Sequence, residues 1–319
     1  MIQFKNVTKK YGDKIAVDDL SFDIKEGEIF VLIGPSGCGK TTTLKMINRL
    51  IPLTSGYIYF KERPISEYPV YEMRWDIGYV LQQIALFPHM SIKENIAQVP
   101  LMKKWTDSDI DDRIDELLTM VGMEPEQFKN RKPKELSGGQ QQRVGVVRAL
   151  AADPPVILMD EPFSALDPIS REKLQDDLIE LQKTIKKTIV FVTHDIQEAL
   201  KLGDRICLLK EGHAEQIGTP EAFLTMPEND FVKDFIGDLD THRMQQLTIG
   251  DIADSHPAGN NTDYPDYPIV PDDTQIQVAF QHLSEHDGII VNGEDDNKKI
   301  LKSQDVFRYL ADRQGGAER

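Results

Sequence analysis

The 319-residue sequence predicts an α/β core with a helical insert, followed by a second, smaller unit. Three observations carry that expectation. Glu28-Ile29-Phe30-Val31-Leu32-Ile33, Val156-Ile157-Leu158-Met159 and Ile189-Val190-Phe191-Val192 are nearly continuous apolar runs, the pattern of strands buried on both faces. Helical periodicity follows the runs, which is how parallel strands are connected. Composition shifts near residue 240: residues 240–319 hold 15 acidic and 7 basic side chains, so this tail supplies half of the formal net charge of -16.

Residues 1–33 read as strands. Ile2, Phe4 and Val7 form a short apolar pattern that Ala16, Leu20 and Phe22 continue, with turns near Tyr11-Gly12-Asp13 and Glu26-Gly27. Thr41 to Leu50 has helical spacing, with Leu44, Ile47 and Leu50 on one side. Residues from about 90 to 135 are charged and helical. Ile110, Ile114, Leu117, Leu118 and Val121 form an apolar stripe there, and Asp107 or Ser108 is the expected cap. Strand and helix alternate again after about 136, with helices expected near 170–186 and 195–202. Residues 254–272 are rich in Pro, Gly, Asn and Asp and read as turns. No internal repeat or low-complexity tract interrupts this order.

Composition excludes several functions. A hydrophobic fraction of 40% with 28% charge is ordinary for a globular protein. A net charge of -16 repels nucleic-acid phosphate, so no nucleic-acid partner is expected. No run of 18 apolar residues is present, and the opening MIQFKNVTKKYG lacks the apolar stretch of a signal peptide. Two cysteines make no disulfide framework; a cytosolic location follows as an expectation. Cys207 lies in an apolar run and reads as core. Cys38 has no adjacent base to activate it and would be open to alkylation only if exposed. No His/Cys cluster has metal-ligand spacing. Glu294-Asp295-Asp296 reads as a solvated loop.

The chemistry is concentrated in Gly34-Pro35-Ser36-Gly37-Cys38-Gly39-Lys40-Thr41, which fits G-x-x-x-x-G-K-[ST] between a strand and a helix. Glycines let the backbone curl so that its N–H groups face phosphate oxygens, and the helix N-terminus adds partial positive charge. Lys40 is expected to reach the β- and γ-phosphates of a nucleotide such as ATP. The Thr41 hydroxyl is expected to ligate Mg²⁺, and Thr42 extends the cradle into the helix. Downstream, the Val156–Met159 strand ends in Asp160-Glu161. Asp160 is the expected holder of the Mg²⁺ shell and Glu161 the general base that polarises water. His194 follows another apolar strand. A histidine there is either structural or close to the terminal phosphate, and residue chemistry alone leaves both readings open.

Leu136-Ser137-Gly138-Gly139-Gln140, followed by Gln141-Gln142-Arg143, resembles the signature of ATP-binding-cassette (ABC) ATPases, and the likeness covers about residues 1–238. The resemblance implies a P-loop ABC ATPase core with a β-subdomain and a helical signature subdomain. It implies that Tyr11 stacks on adenine, that Gln82 touches Mg²⁺ and links to a membrane partner, and that Ser164-Ala165-Leu166-Asp167 pairs across a dimer. It also implies that His194 contacts the γ-phosphate. Ser137, Gly138, Gly139 and Gln140 would serve the ATP of a second copy, so a homodimer with two sandwiched ATP molecules is expected. Transmembrane permease subunits and, indirectly, a substrate-binding protein or domain are the implied partners, with the chain peripheral on the cytoplasmic face of the membrane. Ala85-Leu86-Phe87-Pro88-His89-Met90-Ser91-Ile92-Lys93-Glu94-Asn95-Ile96 resembles the importer branch. Lys45-Met46-Ile47-Asn48-Arg49-Leu50-Ile51 and Gly78-Tyr79-Val80-Leu81-Gln82-Gln83-Ile84 are similar to subunits that take up quaternary amines such as glycine betaine, carnitine and choline. An importer of another small solute, such as an amino acid, and a soluble ABC ATPase uncoupled from transport are the alternatives.

The tail, 239–319, is similar to a single cystathionine-β-synthase (CBS) motif, a small α+β module. Its elements would be Thr248-Ile249-Gly250-Asp251-Ile252, a first helix from Asp273-Thr274 through Ala279, Phe280 and Leu283, and a strand at Gly288-Ile289-Ile290-Val291. A second helix would carry Ser303, Asp305, Val306, Phe307 and Leu310. Lys299-Ile300-Leu301-Lys302-Ser303-Gln304-Asp305 lacks the glycine and the spacing of nucleotide-binding members. A dimer-stabilising module and a sensor of ionic strength or a cyclic dinucleotide are the two readings.

Overall fold

The opening strands β1 (Ile2–Tyr11) and β2 (Lys14–Ile24) form an antiparallel hairpin, as the alternating apolar residues and the Gly12 turn predict. This is a computed structural model, and it describes residues 1–83, 85–237, 248–255, 267–292, 298–302, 305–306 and 309. The chain divides into two compact units, Met1–Asp195 with Leu202–Ile217, and Ile196–Lys201 with Gly218–Arg319.

In the first unit the buried run Ile29–Ile33 forms β3. Strands β4 (Ser55–Phe60) and β5 (Arg63–Pro64) extend the hairpin into a sheet of order β2-β1-β4-β5. The remaining strands are β6 (Ile77–Val80), β7 (Val156–Asp160), β8 (Thr188–Val192), β9 (Arg205–Lys210) and β10 (His213–Gly218). With β3 they make a second sheet of order β10-β9-β3-β8-β7-β6, parallel from β9 to β6. Every residue of β3, β7 and β8 is buried, as their unbroken apolar runs require. One apolar cluster joins the two sheets. At its centre Phe22 stacks on Phe4 at 4.4 Å and on Phe30 at 5.2 Å.

Helix α1 spans Lys40–Ile47 and α2 spans Val70–Trp75. Leu44 and Ile47 are buried, but the helix ends before Leu50, which is 49% exposed and so leaves the expected apolar side. The helical region contains α3 (Ile92–Met102), α4 (Asp107–Met120), α5 (Pro125–Phe128) and α6 (Gly138–Leu150). Ile110, Ile114, Leu117, Leu118 and Val121 are all buried, as their spacing predicts. The cap of α4 differs from expectation. Thr106 takes the extended conformation and its hydroxyl accepts from the Asp109 N–H, so Asp107 and Ser108 fall inside the first turn. Helix α7 (Pro168–Ile185) leads to β8.

The second unit contains α8 (Ile196–Leu202), all but its last residue, with α9 (Pro220–Thr225) and α10 (Asp230–Ile236). Further on are α11 (Ile249–Ser255), β11 (Ile269–Pro271), α12 (Ile276–Glu285), β12 (Ile289–Asn292) and β13 (Lys298–Leu301). Strand β12 pairs parallel with β11 and antiparallel with β13. Ile249, Ile252, Ala279, Phe280, Leu283, Ile289 and Leu301 build its core. The expected first helix is present but starts later, because Asp273 and Thr274 lie in a turn closed by Thr274 N–H donating to Pro271 O. Asp305 and Val306 are helical as expected. Ile84, residues 256–266, Glu294, Asp295, Asp296, Ser303, Gln304, Phe307 and Leu310 lie outside the described residues.

Phe22→Ala removes the ring sandwiched between the two sheets. The expected loss is about 3–5 kcal/mol, read as a lower urea midpoint of the transition followed by tryptophan fluorescence.

Candidate functional site

Strand register assembles the site. Leu32 of β3 pairs with Val192 of β8, and Val192 pairs with Asp160 of β7. The C-terminal ends of three parallel strands therefore coincide, where open α/β sheets bind ligands. From β3 the chain enters the Gly-rich loop. Gly34, Gly37 and Gly39 have φ of +148°, +80° and +110°. Two of the three are also fixed by space: a Cβ on Gly34 would stand 2.1 Å from Leu209 O, and one on Gly39 2.6 Å from Ala16 O. Lys40 is buried, and its ammonium donates to Gly34 O at 2.6 Å and Pro35 O at 3.0 Å. Pro35, Ser36 and Gly37 are exposed, and Thr41 and Thr42 half-buried.

The loop is braced from β2 and β9 through Gly212, a residue that the sequence reading passed over. Its N–H donates to Cys38 O at 3.1 Å and its carbonyl accepts from Asp18 N–H at 3.0 Å. The Glu211-Gly212 pair between two strand patterns was the available signal. Cys38 and Cys207 are both buried. Burial pushes the Cys38 thiol up against the opposing pull of Lys40, and burial pushes Cys207 up further.

On the carboxylate side, Thr41 Oγ1 donates to Asp160 Oδ1 at 2.9 Å. Tyr79 donates its hydroxyl to Asp160 Oδ2 at 3.4 Å, and burial together with the Asp160 charge pushes this phenol upward. Tyr79 is a second residue the sequence reading passed over; its distance of 81 positions from Asp160 hid the contact. Glu161 sits in the left-handed region at φ +44°, with its N–H donating to Val192 O at 3.0 Å. That strained backbone aims the carboxylate at a meeting point. Its Oε2 accepts from Gln82 Nε2 at 3.1 Å and lies 3.4 Å from His194 Nδ1. Gln82, Glu161 and His194 thus converge beside Thr41 and Asp160.

Other expected site residues are placed elsewhere. Tyr11 is 48% exposed at the end of β1, with Lys9 Nζ 4.7 Å over its ring. Ser137 is the N-cap of α6, in a capping box with Gln140. A Cβ on Gly138 would meet open space. Among the described residues, no hydrogen bond joins residues 137–140 to the Gly-rich loop. Asp167, in the segment expected to pair across a dimer, caps α7 by accepting from Ser170 N–H at 3.0 Å; the Ser170 side chain, and then this N–H, hold its carboxyl below the usual range. A groove opens beside Gln82, lined by Trp75, Leu81, Phe87, Met102 and Arg148.

The donor set suits a nucleotide. Gly34 and Gly39 let the loop lie close against the backbone at Leu209 and Ala16, where a Cβ has no room, and a hydroxyl and a carboxylate lie 2.9 Å apart at its edge. The Thr41 hydroxyl and the Asp160 carboxylate are both oxygen donors, the kind that a hard cation such as Mg²⁺ takes.

A Gly-rich loop between strand and helix, with carboxylates at a neighbouring strand end, defines a P-loop nucleotide-binding cassette. More narrowly, this chain belongs to the ABC transporter ATP-binding family, with the ABC cassette fold. The family profile, described as ABC transporter, matches residues 17–164. The glycine betaine/carnitine/choline transport ATP-binding protein OpuCA of Bacillus subtilis is 56% identical over 238 residues, covering 74% of this chain and 62% of that protein. The chain therefore spans under two thirds of that relative's length. The osmoprotectant import ATP-binding protein OsmV of Salmonella typhimurium is 45% identical over 307 residues, 94% of this chain and 78% of that protein. The dimeric structure of MJ0796, a bacterial ABC transporter cassette, matches with a TM-score of 0.61 at 40% identity, covering 69% of this chain and 99% of the other. A post-hydrolysis state of the same cassette, bound to ADP and Pi, matches equally.

Two predictions follow from the loop. Gly39→Ala places a Cβ against Ala16 O in a backbone region that L-residues avoid, and is expected to abolish protection of the protein by ATP against thermal unfolding. Because burial keeps both thiols protonated at neutral pH, iodoacetamide is expected to label Cys38 and Cys207 at pH 7.5 only after denaturation, counted by mass spectrometry. Labelling of the folded chain would show that the thiols are reachable.

Proposed function

We propose that this chain is the ATP-hydrolysing subunit of an ABC importer, energising uptake of a quaternary amine osmolyte such as glycine betaine, carnitine or choline. The observation that carries the hydrolytic reading is the shared Glu161 oxygen, met by Gln82 and His194 at the strand ends beside the phosphate loop. The substrate class is supported by relatives named for those solutes.

The loop's N–H groups and Lys40 bind the phosphate chain, and Tyr11 stacks on adenine. Thr41, Asp160 and Gln82 would hold Mg²⁺, which when bound neutralises phosphate charge. Glu161 takes a proton from water as the water oxygen bonds to the γ-phosphorus and the bond to the ADP oxygen breaks. His194 contacts the γ-phosphate and orients that group. Ser137, Gly138, Gly139 and Gln140 complete the site of a second copy, giving a homodimer with two ATP molecules. Their separation from the loop of the same chain supports that arrangement.

The groove beside Gln82 receives transmembrane permease subunits on the cytoplasmic face of the membrane, and a substrate-binding protein or domain delivers the solute. The chain attaches peripherally through that contact; no helix among the described residues is long and apolar enough to cross a membrane. Residues 1–238 form the cassette and 239–319 a single CBS-like module that stabilises the dimer or senses ionic strength or a cyclic dinucleotide.

Glu161→Gln is expected to keep ATP binding, accumulate a dimer in gel filtration and stop phosphate release. Release at the normal rate would reassign the base. The isolated chain is expected to turn over slowly, and co-reconstitution with its permease to raise the rate.

A further inference from the structure

We infer that Lys9 is a positioning residue for the nucleobase: its ammonium caps one face of the Tyr11 ring and presents the other face to adenine. The inference rests on the reading of Tyr11 as the base-stacking residue and extends it to a side chain with no assigned role.

Lys9 is 8% exposed, unusual for a lysine, since a buried ammonium needs a partner. That partner is not a carboxylate. Among the described residues Lys9 makes no ion pair, and its Nζ lies 4.7 Å from the centroid of the Tyr11 ring. The face of an aromatic ring carries negative potential, so a cation settles there. Lys9 and Tyr11 lie on β1 on either side of a register irregularity between Lys9 and Lys10, where the strand departs from simple alternation.

The position of the pair gives it meaning. Lys9 is opposite Val17 across the hairpin. Val17 Cγ2 would be 3.2 Å from a Cβ on Gly39, and Ala16 O 2.6 Å. The strand pair that holds the Lys9–Tyr11 stack is therefore the one that packs on the phosphate loop. Tyr11 itself is 48% exposed, and among the described residues no second cation and no aromatic ring lies against it. A half-exposed tyrosine held by a cation on one side is a pre-oriented platform on the other. Stacking on such a platform does not depend on the phosphates.

The test measures equilibrium dissociation constants of the full chain for Mg-ATP and for magnesium tripolyphosphate, which lacks the base. Lys9→Met is expected to weaken ATP binding by up to about fivefold, the limit set by losing the cation–π contact that pre-orients the ring, and to leave tripolyphosphate binding unchanged. Lys9→Arg, which keeps the cation, is expected to restore ATP binding. Tyr11→Ala is expected to weaken ATP alone, and Lys9→Met to add nothing to it. Equal loss for both ligands in Lys9→Met, or no loss for either, would overturn the role of Lys9 while leaving Tyr11 as the stacking residue. No loss of ATP binding in Tyr11→Ala would overturn the stacking reading and this inference together. Retained tripolyphosphate binding also reports that each variant is folded.

Discussion

The pairing of Val192 with both Leu32 and Asp160 is the constraint on which the site depends. It sets three strand ends level, so that the Gly-rich loop, the Asp160-Glu161 pair and the Thr193-His194 segment emerge at one edge. A slip of one residue in either pairing would turn Asp160 to the opposite face of the sheet. The full burial of β3, β7 and β8 is what forbids the slip, because every side chain on both faces is packed.

Around that edge the loop is shaped by close backbone approach rather than by side chains. Leu209 O lies where a Cβ of Gly34 would be, and Ala16 O where one of Gly39 would be. Gly212 ties the loop to β2 through two hydrogen bonds, one from its own N–H and one to its carbonyl. The hairpin sheet thus frames the Gly-rich loop: it packs on the central sheet through Phe4, Phe22 and Phe30, braces Gly39, and carries Tyr11 and Lys9. Ser137, by contrast, caps a separate helix, α6, and among the described residues no hydrogen bond joins it to the loop.

What could be read from the chain without coordinates follows from locality. Apolar runs announced the buried strands, the 3.6-residue stripe from Ile110 to Val121 announced α4, and Gly34 to Thr41 announced the phosphate loop, because each pattern lies within one element. The cap of α4 lies one residue before Asp107 and two before Ser108, because Thr106, Asp107 and Ser108 are all good caps and only backbone geometry selects Thr106. Leu50 was assigned to a helix that stops at Ile47, since periodicity does not report where a helix frays. Strand order, the sharing of the Glu161 oxygen, the Tyr79–Asp160 contact and the burial of Lys9 needed the tertiary structure. The first three join residues on different elements, and a one-dimensional pattern holds no record of which elements pack together. By itself the sequence determined which groups can bind phosphate; the register of parallel strands decided which of them meet.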